Sequence, residues 1–254
     1  MGKDGILEKL ISMTRFLGEP AQDFAILGEG NTSARADAET FWVKASGVHM
    51  GGIDADGFVQ VRFDKVMELL QTDDLGDDNV KAGLNAAKID PSVTVRPSVE
   101  TTLHALALQL DGVNFVGHTH PTAVNAILCS QIAEEAISGS LFPDMVVYCG
   151  ALPAYVPLTD PGVLLARAVQ KSITEYQDAH GFSPKVILMQ NHGLIALGAT
   201  ASQVQATTSM YVKAARIVLG TYALGGPHFL DAATVSRIDN RGDINYRRRK
   251  WGIK

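Results

Sequence analysis

The stretch Val113-Asn114-Phe115-Val116-Gly117-His118-Thr119-His120-Pro121 decides how this chain is read. Strand-like apolar residues run into His-x-His, and a proline ends the run. Side chains alternate faces along a strand, so His118 and His120 project the same way. Two imidazoles converging from a rigid strand end make half of a metal site. Alone, the pair is better read as one surface histidine and one hydrogen-bonded core histidine. A second strand-like run, Lys185-Val186-Ile187-Leu188-Met189-Gln190, ends in Asn191-His192-Gly193 and tilts that balance. It offers a third imidazole, again at a strand end and beside a glycine. Three neutral nitrogen donors with an open position are the pattern of a catalytic zinc site rather than a structural one.

Composition bounds what the rest can be. A chain of 254 residues, 46% hydrophobic and 19% charged, can bury a sizeable core as an ordinary globular protein. A net charge of -5 gives no general attraction for nucleic acid or an anionic membrane. The apolar runs are too short to span a bilayer, and the N-terminus lacks a basic-then-apolar signal pattern. The two cysteines, Cys129 and Cys149, have no metal-type spacing, so the cytoplasm is the expected compartment.

Periodicity lays out the elements. An apolar stripe at Ile6, Leu7, Leu10, Ile11 and Leu17 predicts a helix, ended by Gly18 and Pro20. Phe24 to Leu27 reads as a short strand feeding the loop Gly28 to Ser33. Phe41 to Ala45 reads as a second strand, in a hairpin closed by the acidic turn 36–40. A strand near Phe58 to Val61 precedes a helix from Asp64, as N-cap, through Leu70. Residues 71–95 are polar, with one short helix. Pro97-Ser98 starts a helix to about Leu110 whose buried face is Leu103, Leu106, Ala107 and Leu110. An alanine-rich helix follows Pro121. Met145 to Cys149 reads as a strand and Gly162 to about Ala179 as a helix. The His192 strand leads through Leu194 to Gly198 into a long helix from Thr200 to about Leu219. The tail from Pro227 is irregular or weakly helical. No repeat or linker divides the chain, so one α/β domain over residues 1–254, with a mixed sheet, is the simplest account.

Gly28-x-Gly30-x-x-Ser33 looks like a degraded dinucleotide fingerprint. That motif needs a helix directly after its glycines, to hold the pyrophosphate. A polar turn and a strand follow instead, and the dinucleotide reading is rejected. A loop with an Asn amide, closing near a second turn at Ser46-Gly47, can still cradle a phosphate, although locally both are ordinary turns.

Four blocks occur in order: Gly30-Asn31-Thr32-Ser33, Lys44-Ala45-Ser46-Gly47, Pro97-Ser98-Val99-Glu100, and Gly117-His118-Thr119-His120 with Asn191-His192-Gly193. In this ordered set the chain resembles the class II aldolase/adducin family, and especially the aldolase module of fused rhamnulose-phosphate aldolase/dehydrogenase proteins. The resemblance implies a three-layer α/β/α fold with a central mixed, mostly antiparallel sheet. It also implies a divalent metal, zinc first and Mn, Co or Fe as alternatives, and a homotetramer. It places His118, His120 and His192 as metal ligands and Glu100 as the acid/base carboxylate. Asn31, Ser46, Gly47 and Ser98 fall at the positions that bind the substrate phosphate. The implied reaction is carbon–carbon cleavage of a small phosphorylated ketose by retro-aldol chemistry through a metal-bound enediolate. The alternatives are decarboxylation of an oxo sugar-acid phosphate, 4-epimerisation, and a non-catalytic adducin-like binding module. Glu100 in the first turn of its helix would be favoured as an anion by the helix dipole. His104, one turn on, is expected to support that face or sit in the core.

Two departures from the family pattern stand out. Val99 replaces a serine that often precedes the glutamate. A tyrosine that some relatives supply from a neighbouring subunit has no clear counterpart in residues 131–142, leaving Tyr148 as candidate. A glutamate rather than an aspartate at position 100 argues against an epimerase. Arg247 to Lys250 reads as a solvated or subunit-contacting tail, Gly225 to His228 as a plain loop, and Phe41 and Trp42 as core.

Overall fold

A computed structural model describes residues 3–72 and 76–241. In chain order the first half contains α1 (Lys3–Leu17), β1 (Asn31–Arg35), β2 (Thr40–Lys44), β3 (Phe58–Arg62), α2 (Phe63–Gln71) and α3 (Asp77–Ala86). Then come α4 (Thr101–Leu108), β4 (Phe115–Thr119), α5 (Thr122–Leu128), α6 (Ala133–Ala136) and α7 (Pro143–Cys149). The last elements are β5 (Ala154–Val156), α8 (Val163–His180), β6 (Val186–Met189), β7 (Gly193–Gly198), α9 (Ala201–Tyr222) and α10 (Ala232–Asp239).

The strands form one sheet in the order β3-β2-β1-β4-β7-β6-β5. Every neighbouring pair is antiparallel except β5 with β6. Helices cover both faces, which makes the three-layer α/β/α arrangement. The apolar runs of β4, β6 and β7 reflect this, because a central strand covered on both sides has no solvent face. Ile187 and Ile195 pack with Leu103 of α4 and Val169 of α8 on one side. Leu188 and Leu194 pack with Leu10, Met13 and Leu17 of α1 and Val204 of α9 on the other. Each such side chain contributes about 1.5–3 kcal/mol by leaving water.

Several expectations hold: α1, the β2 strand, β3, α5, α8 and α9 lie where periodicity put them. Phe41 is fully buried and Trp42 half-buried. Both cysteines are free.

Others are overturned. Phe24 to Leu27 is not a strand: Asp23 and Leu27 have φ of 58° and 55°, and only Phe24 enters the core, while Ile26 and Leu27 face solvent. Glu29 closes a tight turn here by accepting from the Ile26 N–H at 2.9 Å. The first hairpin strand is instead Asn31–Arg35, within what reads as a polar loop. It lies between β2 and β4, whose ladders satisfy its backbone, and its hydroxyls find partners, Thr32 with Thr14 at 2.6 Å. A strand, not a helix, therefore follows Gly30.

Met145 to Cys149 is helical, not extended. Pro143 occupies the first helical turn, and Met145, Val146 and Cys149 bury one face. The β-branched pair Val146-Val147 misleads locally, and packing against α9 and α10 overrides it. Arg62, not Asp64, occupies the N-cap position of α2 and makes no side-chain cap bond; Asp64 lies in the first turn, paired with Arg62 at 2.8 Å. Helix α4 starts at Thr101, because Pro97 bridges to Ala45 in an extended segment. The tail past Pro227, read as irregular or weakly helical, does contain one short helix, with Asp231 accepting from the Thr234 N–H at 2.7 Å. Arg247 to Lys250 lie outside the described residues.

Candidate metal centre

The far end of β4 carries His118, with His120 just beyond it. His118 shares a face with Val116, the face covered by α4 and α8. His192 sits in the tight turn joining β6 to β7, where Asn191 takes φ 55° and reverses the chain. The ring centroids of His118, His120 and His192 are 4.7, 4.9 and 5.0 Å apart. Nε2 of His118 lies 2.9 Å from Nε2 of His120 and 3.3 Å from Nε2 of His192. Glu100 closes the group, with Oε2 3.4 Å from His118 Nε2 and Oε1 3.2 Å from His192 Nε2.

The donor chemistry suits a divalent cation. His118 Nδ1 is 3.0 Å from the Leu194 carbonyl, which can only accept, so Nδ1 holds the proton and Nε2 keeps its lone pair. That lone pair faces two more ring nitrogens and a carboxylate. Burial pushes His118 below its usual range and His120 down to about 3, which keeps both rings neutral. Three imidazole nitrogens whose donor atoms lie within 4.8 Å of one another could hold a metal ion. Burial pushes the Glu100 carboxyl up. The neighbouring His118 and His192 imidazoles and the bond from Asn31 together outweigh it and hold the group below the usual carboxylate range.

Backbone shape makes the convergence possible. Gly30 has φ 65°, and a Cβ there would stand 2.6 Å from the His118 carbonyl oxygen. Gly193 is packed against the imidazoles and the Thr119 carbonyl in the same way.

The expected phosphate-binding residues gather at this end of the sheet. Asn31 is in register with His118 across β1 and β4. Its Nδ2 donates to Glu100 Oε2 at 2.8 Å and to Ser98 Oγ at 3.1 Å. The segments 44–46 and 96–98 run side by side, through Ser46 N–H to the Arg96 carbonyl at 2.9 Å and Ser98 N–H to the Lys44 carbonyl at 3.3 Å. Ser98 is buried, whereas Ser46 and Gly47 are exposed. Ser98 Oγ accepts from both Asn31 and the Glu100 N–H, which leaves its own proton free to point elsewhere. Glu100 is the N-cap residue of α4 rather than a first-turn residue, and its side chain makes no cap bond.

Within its own chain Tyr148 lies away from the histidines. It lines a cavity of about 550 Å³ with Gly198, and Gly198 pairs with Phe115 at the end of β4 opposite His118. The sequence also left two partners unread. Lys44 is 2% exposed, and its amine donates to the Ala45 carbonyl at 3.2 Å; burial pushes it down to about 8, opposed by Glu100. Ser33 bonds His104, and its only signal was its place in the Gly30–Ser33 block.

The fold and the cluster define a class: a three-layer α/β/α protein with an imidazole cluster at a strand end. The chain belongs to the class II aldolase and adducin N-terminal domain family, whose model matches residues 8–219. The enzymes of this superfamily are lyases or related enzymes, and class II aldolases use a divalent metal. Among curated proteins, the uncharacterized oxidoreductase YuxG of Bacillus subtilis (strain 168) is 29% identical over 207 residues, 77% of this chain. The match spans only 27% of that longer protein. A methylthioribulose-1-phosphate dehydratase of Cronobacter sakazakii (strain ATCC BAA-894) is 26% identical over 78% of this chain and 86% of its own length. The N-terminal class II aldolase domain of a conserved Thermoplasma acidophilum protein superposes with a TM-score of 0.68 at 24% identity, covering 84% of this chain and 93% of that one. No helix among the described residues is long and apolar enough to cross a membrane.

Proposed function

We propose that this chain is a metal-dependent carbon–carbon lyase that cleaves a small phosphorylated ketose by retro-aldol chemistry. The observation that carries this reading is the meeting of three imidazole nitrogens with the Glu100 carboxylate at one buried strand end. Zinc suits the all-nitrogen donor set, and when bound it supplies Lewis acidity to a ketone and its neighbouring hydroxyl. Ser46, Gly47 and Ser98 hold the phosphate, with Asn31 orienting Ser98 through its Nδ2 donation and the free proton of Ser98 directed to a phosphate oxygen. In the cleavage direction Glu100 takes the proton of the β-hydroxyl, which becomes the aldehyde carbonyl. The pair from the broken carbon–carbon bond passes into an enediolate. Glu100 returns a proton to the carbon that was cut, which completes dihydroxyacetone phosphate.

A panel of ketose phosphates and oxo-acid phosphates, assayed with zinc, manganese and cobalt, tests the reaction. Glu100→Gln is expected to keep the metal and lose roughly two to four orders of magnitude in turnover. Wild-type turnover in that variant would remove the assigned role. Carbon dioxide release without an aldehyde would identify a decarboxylase. The similarity to a dehydratase supports a second reading, loss of water from the same kind of substrate, which would also yield no aldehyde. We further propose a homotetramer. Leu27, Val99 and Leu158 are exposed on segments adjoining Asn31, Glu100 and His192, as residues covered by a neighbouring subunit would be. Light scattering that finds a monomer at micromolar concentration would overturn the assembly.

A further inference from the structure

We propose that His104 is a positioning residue whose fixed tautomer sets the direction of the Asn31 amide and so presents Glu100 with a donor. The inference rests on the reading of Glu100 as the proton-carrying group. It starts from a chain of side chains that crosses from α4 to β1. His104 stands four residues after Glu100, one helical turn on, and Ser33 and Asn31 share the β1 face that meets it. His104 and Ser33 are completely buried, and Asn31 and Glu100 are each 6% exposed, so no bulk water competes for these bonds.

The direction of every bond follows from one end. The Glu100 carboxylate can only accept, so the Asn31 atom 2.8 Å from it must be the amide nitrogen. The same nitrogen serves Ser98 Oγ. Asn31 Oδ1 is then turned to His104 Nε2, in a short contact that makes Nε2 the donor. With the proton on Nε2, Nδ1 holds the lone pair, and the Ser33 hydroxyl donates to it at 2.6 Å. Burial pushes His104 down to about 3, which agrees with a neutral ring.

The opposite tautomer fails in this geometry. A proton on Nδ1 would set the Nε2 lone pair against Asn31 Oδ1. Turning the amide over would relieve that contact but place Oδ1 against the Glu100 carboxylate. Two acceptors would then face each other in a site without water to separate them. Through its ring His104 bonds Asn31 and Ser33, and so decides what Asn31 offers to Glu100 and Ser98.

Histidine-selective 15N spectra of the wild-type protein at neutral pH read the tautomer without any substrate. The expected result is a neutral Nε2–H ring for His104; an Nδ1–H ring or an imidazolium overturns the proposal. In kinetics, His104→Leu is expected to lower kcat about tenfold to a hundredfold with KM changed far less. His104→Gln carries an N–H that reaches the same acceptor, and should recover most of the loss. Equal impairment of both folded variants overturns the positioning role. If His104→Leu does not fold, the wild-type spectrum decides. Failure of the lyase assay leaves the tautomer result standing, and a wrong tautomer leaves the lyase assay untouched.

Discussion

Gly193→Ala adds one methyl group at the point where the site is tightest. Gly193 does not lie in the left-handed region, so alanine meets a difficulty of contact and not of torsion. Its Cβ would stand 2.6 Å from the Thr119 carbonyl oxygen, 2.8 Å from Cδ2 of His120 and 3.2 Å from Cε1 of His118. Carbon atoms in contact prefer about 3.5–4.0 Å, so the neighbours must retreat by roughly half an ångström to an ångström. The Thr119 carbonyl cannot yield freely, since Thr119 and Leu194 pair across β4 and β7. The Gly193 backbone must therefore shift, and the two imidazoles with it. Overpacking of this kind costs about 1–3 kcal/mol. At about 2–4 °C per kcal/mol for a chain of this size, Tm should fall by about 2–12 °C. The effect on metal should be larger than the effect on folding, because two of the three proposed ligand rings are displaced together. Calorimetry and elemental analysis of both proteins, purified side by side, read the two quantities. We expect a folded variant with well under the wild-type metal content. A variant that matches the wild type in both metal and Tm would refute the reasoning.

Three further outcomes follow from other parts of the molecule. Elemental analysis should find about one divalent ion per chain in the wild type, and His118→Ala should lose it; equal metal in both would sink the assignment. Thr200→Ala removes the acceptor that caps α9 at the Gln203 N–H, 3.2 Å away, and should cost about 1 kcal/mol; an unchanged Tm contradicts it. Stability should fall on acidification. Burial pushes His104 and His120 down to about 3, so the unfolded chain takes up protons below about pH 6.5 that the folded chain refuses. Each ring then removes up to about 1.4 kcal/mol per pH unit as the pH falls from about 6.5 toward 3, and a Tm flat from pH 7 to 5 would contradict this.

Local sequence carries what depends on neighbours along the chain. The period-two placement of His118 and His120 puts both on one face whatever the strand's partners are. The apolar stripe of α1 and the proline after His120 likewise act within a few residues. These signals located most elements and brought attention to the three histidines. They failed where distant parts of the chain outvote local preference. Asn31–Arg35 is polar and reads as a loop, yet it is a strand because β2 and β4 take up its backbone on both sides. Phe24 to Leu27 reads as a strand, but its ladder position went to that neighbour, and a turn remained. Met145 to Cys149 carries β-branched residues and is still helical, because Pro143 starts it and α9 and α10 cover it. The tertiary structure alone decided which atoms meet: Glu100 with His118 and His192, and Ser33 with His104. Hydrogen-bond direction is a property of such meetings. The spacing of Glu100 and His104 could place them on one helix face, but only the β1 strand opposite determines which ring nitrogen holds the proton.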